Sequence, residues 1–449
     1  DSLVLGTVTV AGGSFKAQAD NSIIIDNINA ETGTVKLDAG NGFIVNEDSG
    51  ETGTITAKDL ILRAGQGAAG TDGHPIRTDI TGTLDTSSAK SVVVHQVSDE
   101  HDLTLRSVVS GGEIRLTSDK GIEMETAQAE EDGGYLHAGD YIYLRAKAGG
   151  VGKTEAVRIL ANDNKVILIA GDDSQIVGKQ NGDDALLLGE VSVNGNFAAQ
   201  ADNSIIISGE LFADKDIALT SVNGDIAMLS GVNGDLDSSD GTKAYLYGGA
   251  VISLAAENGN VGTEDDAVRI LHENDAVVDV QAKNAWLQGA NSHDRTQDTI
   301  TLRKVRVGNE FKAESTKNLN IEEATGENGE TVNSVEAGTV NLIAGNSIDI
   351  TGAVIASDGD LYTEARGAIR STADLDANGD VTVYAHSKAE ITGAINALNN
   401  VTVFGLASTL QTGSVTAENG SIEMRSLADL TTQGKLSAEQ GAIDITSFE

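Results

Sequence analysis

The stretch His95-Gln96-Val97-Ser98-Asp99-Glu100-His101 sets two imidazoles and two carboxylates close together. Brought to one point, such donors ligate a transition metal, provided further ligands complete a fixed geometry. On an outward loop the same residues are solvated charge. Asp172-Asp173 and Asp183-Asp184 flank a polar stretch and offer the oxygen donors that Ca2+ takes in sets of about six to eight. Many acidic pairs are available for glycoside hydrolysis, which needs two carboxylates at a set separation. Sugar grooves also tend to expose aromatic faces. Here aromatics are 3% of the residues and Trp286 is the one tryptophan. There is no Cys, hence no thiol chemistry and no disulfide staple. No phosphate-binding glycine loop, zinc spacing, EF-hand loop or nonapeptide calcium series occurs. The residues therefore single out no catalytic, cofactor-binding or metal position, and the expectation is a chain that is not an enzyme. Ca2+ is the one ion the scattered acids would suit.

The charge balance narrows the partners. Thirty Lys and Arg stand against 68 Asp and Glu, for a net charge of −38. Such a surface repels nucleic acid and anionic membrane, and it keeps a large β surface soluble. No run of 18 or more apolar residues occurs, so no membrane insertion is expected.

The elements that would position any site are legible in residues 338–449, which repeat every 20 or 21 residues. A first apolar column runs Val340, Leu361, Val381, Val401, Ile422, Ile443. A second runs Ile348, Ile369, Ile391, Leu410, Leu430, the third member loosely placed. A third runs Val354, Leu375, Ile395, Val415, Leu436, followed two residues later by Ala356, Ala377, Ala397, Ala417, Ala438. Each member opens a short apolar–polar–apolar triplet, the mark of a strand with one buried face. One repeat cannot bury that face alone; stacked repeats can. The expected fold is all-β: a right-handed parallel β-helix, or β-solenoid, with three strands per coil. Handedness follows from the general rule for parallel crossovers. Neither the leucine-rich frame nor the longer period of a β-propeller blade is present.

Corners carry their own columns. Gly359, Gly379, Asn399, Gly420 and Gly441 precede the first strand, and the reading is a left-handed corner, because Gly and Asn tolerate positive φ. Thr351, Thr372, Thr392 and Thr412 suggest hydroxyls bonded along the axis, and Asp360, Asp380 and Asn400 suggest a side-chain ladder.

The whole chain, 1–449, reads as one elongated solenoid, with decorated coils and duplicated blocks over 1–337 and regular coils over 338–449. One block recurs at Ile55 through Arg77, at Leu136 through Ile159 and at Leu246 through Ile270. A second echo links Phe15, Phe197 and Phe311. Polar stretches at 46–53, 98–102, 129–134, 172–184, 231–241, 291–298 and 322–333 read as protruding loops, where binding residues tend to lie.

The runs Ser414-Val415-Thr416-Ala417-Glu418-Asn419-Gly420-Ser421-Ile422-Glu423-Met424 and Leu436-Ser437-Ala438-Glu439-Gln440-Gly441-Ala442-Ile443-Asp444-Ile445 resemble coils of filamentous-haemagglutinin-like adhesins. Val151-Gly152-Lys153-Thr154 and Val261-Gly262-Thr263-Glu264 open units similar to that family's G-x-[IV]-G-T-x-x-x-P repeats, of which only His74-Pro75-Ile76-Arg77 keeps the proline. The resemblance covers nearly the whole chain as a style of repeat. It implies a structural or adhesive segment of a secreted or bacterial cell-surface protein. The implied partners are surface glycans or proteins and neighbouring segments of a longer chain, or further copies stacked end to end into a filament. The family's amino-terminal secretion module and a carboxy-terminal translocator are not seen, which places the segment inside a longer exoprotein. The rival expectation is a β-helical polysaccharide lyase or glycoside hydrolase, which shares the architecture.

Overall fold

A computed structural model describes residues 1–47, 53–126, 134–179, 181–229, 244–271, 276–289, 299–326 and 328–448. Within these, every regular element is a strand. Parallel strands stack into a β-solenoid of about 19 turns with about 21 residues per turn. Two compact units can be distinguished, Asp1–Lys215 and Asp216–Glu449.

In the second unit the regular coils carry three strands per turn, such as Leu361–Ala365, Ile369–Ser371 and Leu375–Ala377. The first column stacks as the spacing predicts, Val340 on Leu361, Val381, Val401, Ile422 and Ile443. The third column does the same from Val354 to Leu436. Ala356, Ala377, Ala397 and Ala417 are buried, so the alanine column points inward. Small side chains there leave room for the larger ones of the facing sheets.

The second column differs from expectation. Ile369 is followed by Ala389, then Thr409, then Leu430. Side chains alternate faces with period two, so Ala389 and Ile391 both point inward, whereas Leu410, one position off, turns out. Thr409 and Gln411 take the interior places instead. Gln411 donates through Nε2 to the carbonyls of Gly393 and Gly413 at 3.3 and 3.2 Å.

The corner reading is overturned. None of Gly359, Gly379, Gly420 and Gly441 has a positive φ; nor does Asn399. Glycine is needed there for space. A Cβ on Gly379 would lie 2.2 Å from Asp360 Oδ1 and 2.7 Å from the Gly359 carbonyl carbon. One on Gly441 would lie 2.3 Å from the Gly420 oxygen. Each corner presses against the corner of the turn before it.

Left-handed glycines do occupy one equivalent place in each of the duplicated blocks, besides Gly12, Gly13, Gly182 and Gly329 elsewhere. Gly70, Gly152 and Gly262 have φ of 80°, 70° and 73°. Each follows a buried residue (Ala69, Val151, Val261) that makes an isolated parallel bridge to Ile44, Ile122 or Ile226. Each glycine N–H donates to the carbonyl of that same isoleucine, at 2.8, 2.7 and 2.8 Å. The chain then reverses and enters the strands Ile76–Ile80, Val157–Leu160 and Val268–Ile270.

The first unit has fewer, longer strands than three short ones per coil. Leu103–Ser110 pairs through Leu103, Thr104 and Leu105 with Ile122–Met124, and through Val108 and Val109 with Leu136–His137. One strand thus bends across a corner, and its pairing with Thr83–Ser88 shifts register between Leu105 and Ser107. Such irregularities bend a strand where no glycine turn does.

The stretch 172–184 is not a protruding loop, because Ser174–Lys179 is an ordinary strand with Ile176 fully buried. The stretch 322–333 carries a small antiparallel hairpin, Ala324–Thr325 with Thr331–Val332. The loops expected at 231–241 and 291–298, and most of those at 46–53 and 129–134, lie outside the described residues.

Candidate functional site

Outward side chains of one sheet of the second unit bring aromatic, acidic and basic groups together. Strands Ala285–Gly289, Glu310–Ser315, Thr339–Ala344, Leu361–Ala365, Val381–Ala385 and Val401–Gly405 lie parallel in unbroken register. Their inward positions are apolar or small, so the alternate positions must face out. One outward column reads Trp286, Lys312, Asn341, Tyr362, Thr382, Thr402. Its neighbour reads Gln288, Glu314, Ile343, Glu364, Tyr384, Phe404.

Between Glu314 and Glu364 lies a groove of about 350 Å³ whose floor is Ile343, Ala344 and Gly345. Gln288, Ser315 and Thr316 line it beside Glu314, and Arg366 beside Glu364. A recess of about 90 Å³ adjoins it, shares Gln288 and Glu314, and adds Glu264, Asp265, Trp286 and Lys312. The Trp286 Nε1 and Asn341 Oδ1 atoms are buried without a hydrogen-bond partner among the described residues. In their column they stand on either side of Lys312.

The carboxylates are held by neighbours. Tyr362 donates its hydroxyl to Glu364 Oε2 at 2.6 Å, and His386 Nε2 lies 3.1 Å from Glu364 Oε1. The hydrogen bond from Tyr362, then the contact with His386, holds the Glu364 carboxyl below its ordinary range. Burial, and then the bond to Glu364, pushes the Tyr362 phenol up to about 12. Lys312 Nζ sits 2.7 Å from Glu314 Oε1. Beside the groove, Tyr384 stacks on Phe404 at 4.9 Å and 19°, and meets His386 edge-on at 4.9 Å. Glu364 is thus held toward its ionised form and not kept protonated by burial. The arrangement offers hydrogen-bond acceptors, a guanidinium donor and aromatic surface.

The sequence candidates lie elsewhere and do not converge. His95 and Gln96 are neighbours on the strand Val92–Gln96 and so face opposite ways. His95 Nε2 meets Asp119 Oδ1 at 3.0 Å, with Lys147 on the same oxygen. Burial alone would raise the Asp119 carboxyl; the bonds from Lys147 and His95 outweigh it and hold it low. Gln96 is fully buried, its Oε1 accepting from Thr78 Oγ1 at 2.8 Å and from Ile80 N–H at 3.2 Å. His101 is exposed in a bend. Asp172 pairs with Lys153, Asp173 Oδ1 accepts the Asn196 N–H at 2.8 Å, and Asp184 Oδ2 accepts from Asn181 at 3.3 Å. Among the described residues no group of three or more His, Cys, Asp or Glu is placed to hold a metal.

In the first unit a second cluster forms around Arg115. Arg115 donates to the Tyr141 hydroxyl at 2.5 Å, pairs with Asp72 at 3.0 Å, and lies 5.2 Å from the Tyr143 ring centre. Tyr141 in turn donates to Glu113.

The aromatic face was open to detection in the sequence by reading polar positions in columns as the apolar ones are read. Tyr384 and Phe404 are one turn apart, and Glu364 precedes them in the same column. No family model, no curated protein and no solved structure matches the chain.

Proposed function

We propose that this β-solenoid is a structural and adhesive segment of a secreted or cell-surface protein, of the filamentous-haemagglutinin-like kind its repeats resemble. Solenoid turns contact only their neighbours, so outward columns can be varied without loss of the core. The observation that carries the reading is the face from Trp286 to Phe404. It places the lone tryptophan, two tyrosines and a phenylalanine on one sheet of a chain with few aromatics, the last three on consecutive strands. These rings are half-buried, each with one part open to solvent, and aromatic side chains gathered with polar ones on one surface are a common mark of recognition surfaces.

The direct test immobilises the full 449-residue chain and measures its retention of intact cells and of extracellular matrix, against an albumin surface. Specific, saturable retention is expected. Retention no better than albumin would remove the adhesive reading. Release of shortened sugars from oligosaccharides incubated with the chain would replace it with the enzyme reading.

A further inference from the structure

Resting on the adhesive reading, we infer that the groove between Glu314 and Glu364 is a subsite for an uncharged oligosaccharide, with Trp286 at its edge as a stacking surface. Its volume of about 350 Å³ matches a small-ligand site, which runs from about 300 to 1,000 Å³. It is long enough to span three strands, those carrying Glu314, Ile343 and Glu364, at roughly 4.8 Å per strand.

The polar inventory fits hydroxyls. Glu314 and Glu364 only accept hydrogen bonds, Arg366 only donates, and Gln288 and Thr316 do both. A sugar ring presents adjacent hydroxyls that each donate and accept, so it can engage all of these at once. The outward Ile343 side chain suits the C–H face of such a ring, and so does an indole.

Charge selects among sugars. Glu314 and Glu364 are offset locally by Lys312 and Arg366, which leaves the groove near neutrality. The adjoining recess adds Glu264 and Asp265 without a further cation among its lining residues. A uronate or sulfated chain would enter a negative field on a −38 molecule, while an uncharged one would not feel it.

Isothermal titration of the full chain with cellohexaose, maltohexaose, chitohexaose and hexagalacturonate tests this. At least one uncharged hexasaccharide is expected to bind and hexagalacturonate not to bind. Arg366→Ala, at an exposed position, and Trp286→Ala should each weaken that binding at least ten-fold, with far-ultraviolet circular dichroism unchanged. Arg370→Ala, exposed but not lining the groove, should leave it within two-fold. No binding of any uncharged hexasaccharide, binding of hexagalacturonate alone, or binding indifferent to both groove variants would overturn the inference. The same variants in the retention assay separate the two claims. Undiminished retention by both discards the groove and keeps adhesion. Retention that depends on the groove but survives glycosidase treatment of the cells assigns the groove to a protein partner, against the inference. Absence of retention by the parent chain discards adhesion itself.

Discussion

Asp380 Oδ1 accepts the backbone N–H of Asn400, one turn later, at 2.8 Å, while the Asp380 N–H donates to Asp360 Oδ1, one turn earlier, at 2.8 Å. Asn400 Oδ1 continues the series by accepting from Ser421 N–H at 2.9 Å. The ladder expected from these residues is therefore real; most of its rungs run from side chain to backbone, and Asn400 Nδ2 adds a side-chain rung to Asp380 Oδ1 at 3.0 Å. Each side chain caps the entrance of the next turn's strand, where the N–H would otherwise have only water. The same device recurs where Asp173 caps Asn196 and Asp225 caps Asn260.

Asp380→Ala removes an acceptor from both the N–H and the Nδ2 of Asn400, and should destabilise by about 0.5–1.5 kcal/mol, the net worth of an ordinary hydrogen bond. Asp380→Asn keeps an acceptor and removes the like charge from beside Asp360, so it should match or exceed the parent. Urea midpoints of the three chains check this; equal midpoints for Ala and parent would show the cap to be idle.

Gly379→Ala should destabilise by about 1–3 kcal/mol through crowding, since its Cβ would strike both the Asp360 carboxylate and the Gly359 backbone. Asp360→Ala in the same chain should relieve only part of this, because the Gly359 carbonyl carbon remains 2.7 Å away. Full relief in the double variant, read from the same midpoints, would show the backbone contact to be unimportant.

These two columns mark what the sequence can and cannot disclose. Repeating apolar residues must be buried together, so Val340 to Ile443 and the alanines fall into place by period alone. Period does not say why a corner is glycine. Positive φ and close approach leave the same residue, and only coordinates distinguish Gly379 from Gly262. The second column fails for another reason. Thr409 and Gln411 are polar yet interior, each satisfying part of its bonding with backbone carbonyls of neighbouring turns. A reading that seeks apolar residues therefore slides to Leu410. The threonine column shows the same economy: Thr351 and Thr392 bond to the carbonyls of Ile321 and Ser371 and not to one another. The groove escaped notice because Trp286, Glu314 and Glu364 are far apart in the chain and meet only through the stacking of strands.

Ala397 is 4% exposed and lies between Ala377 and Ala417 in the inward column. Ala397→Leu should cost about 1–3 kcal/mol by overpacking. Thr402→Leu, on the outward side of its strand, should stay within about 0.5 kcal/mol. Thermal unfolding of the two variants gives the comparison, and equal losses would contradict the inward placement of the alanines.

The Tyr362–Glu364 pair should leave a signature at both ends of the pH scale. On the acid side, Glu364 titrates below its ordinary value in the folded chain, chiefly because Tyr362 donates to it. Its contribution is therefore present above the ordinary glutamate range and fades as pH falls through the depressed folded value, because protonation there opposes the native bond. On the alkaline side, the unfolded tyrosine ionises near 10 while the folded one holds its proton to about 12. Between those values the unfolded state binds fewer protons than the folded state, so stability declines as pH rises across that window. Tyr362→Phe removes the donor and the phenol together. It should bring the Glu364 carboxyl back toward its ordinary range and abolish the part of the alkaline decline that belongs to this residue. Phenolate absorbance of the parent minus that of Tyr362→Phe isolates one of the seven tyrosines and should show a midpoint well above 10. A difference titration centred at the ordinary tyrosine value would mean that the phenol is neither shielded from water nor bonded to Glu364 in solution.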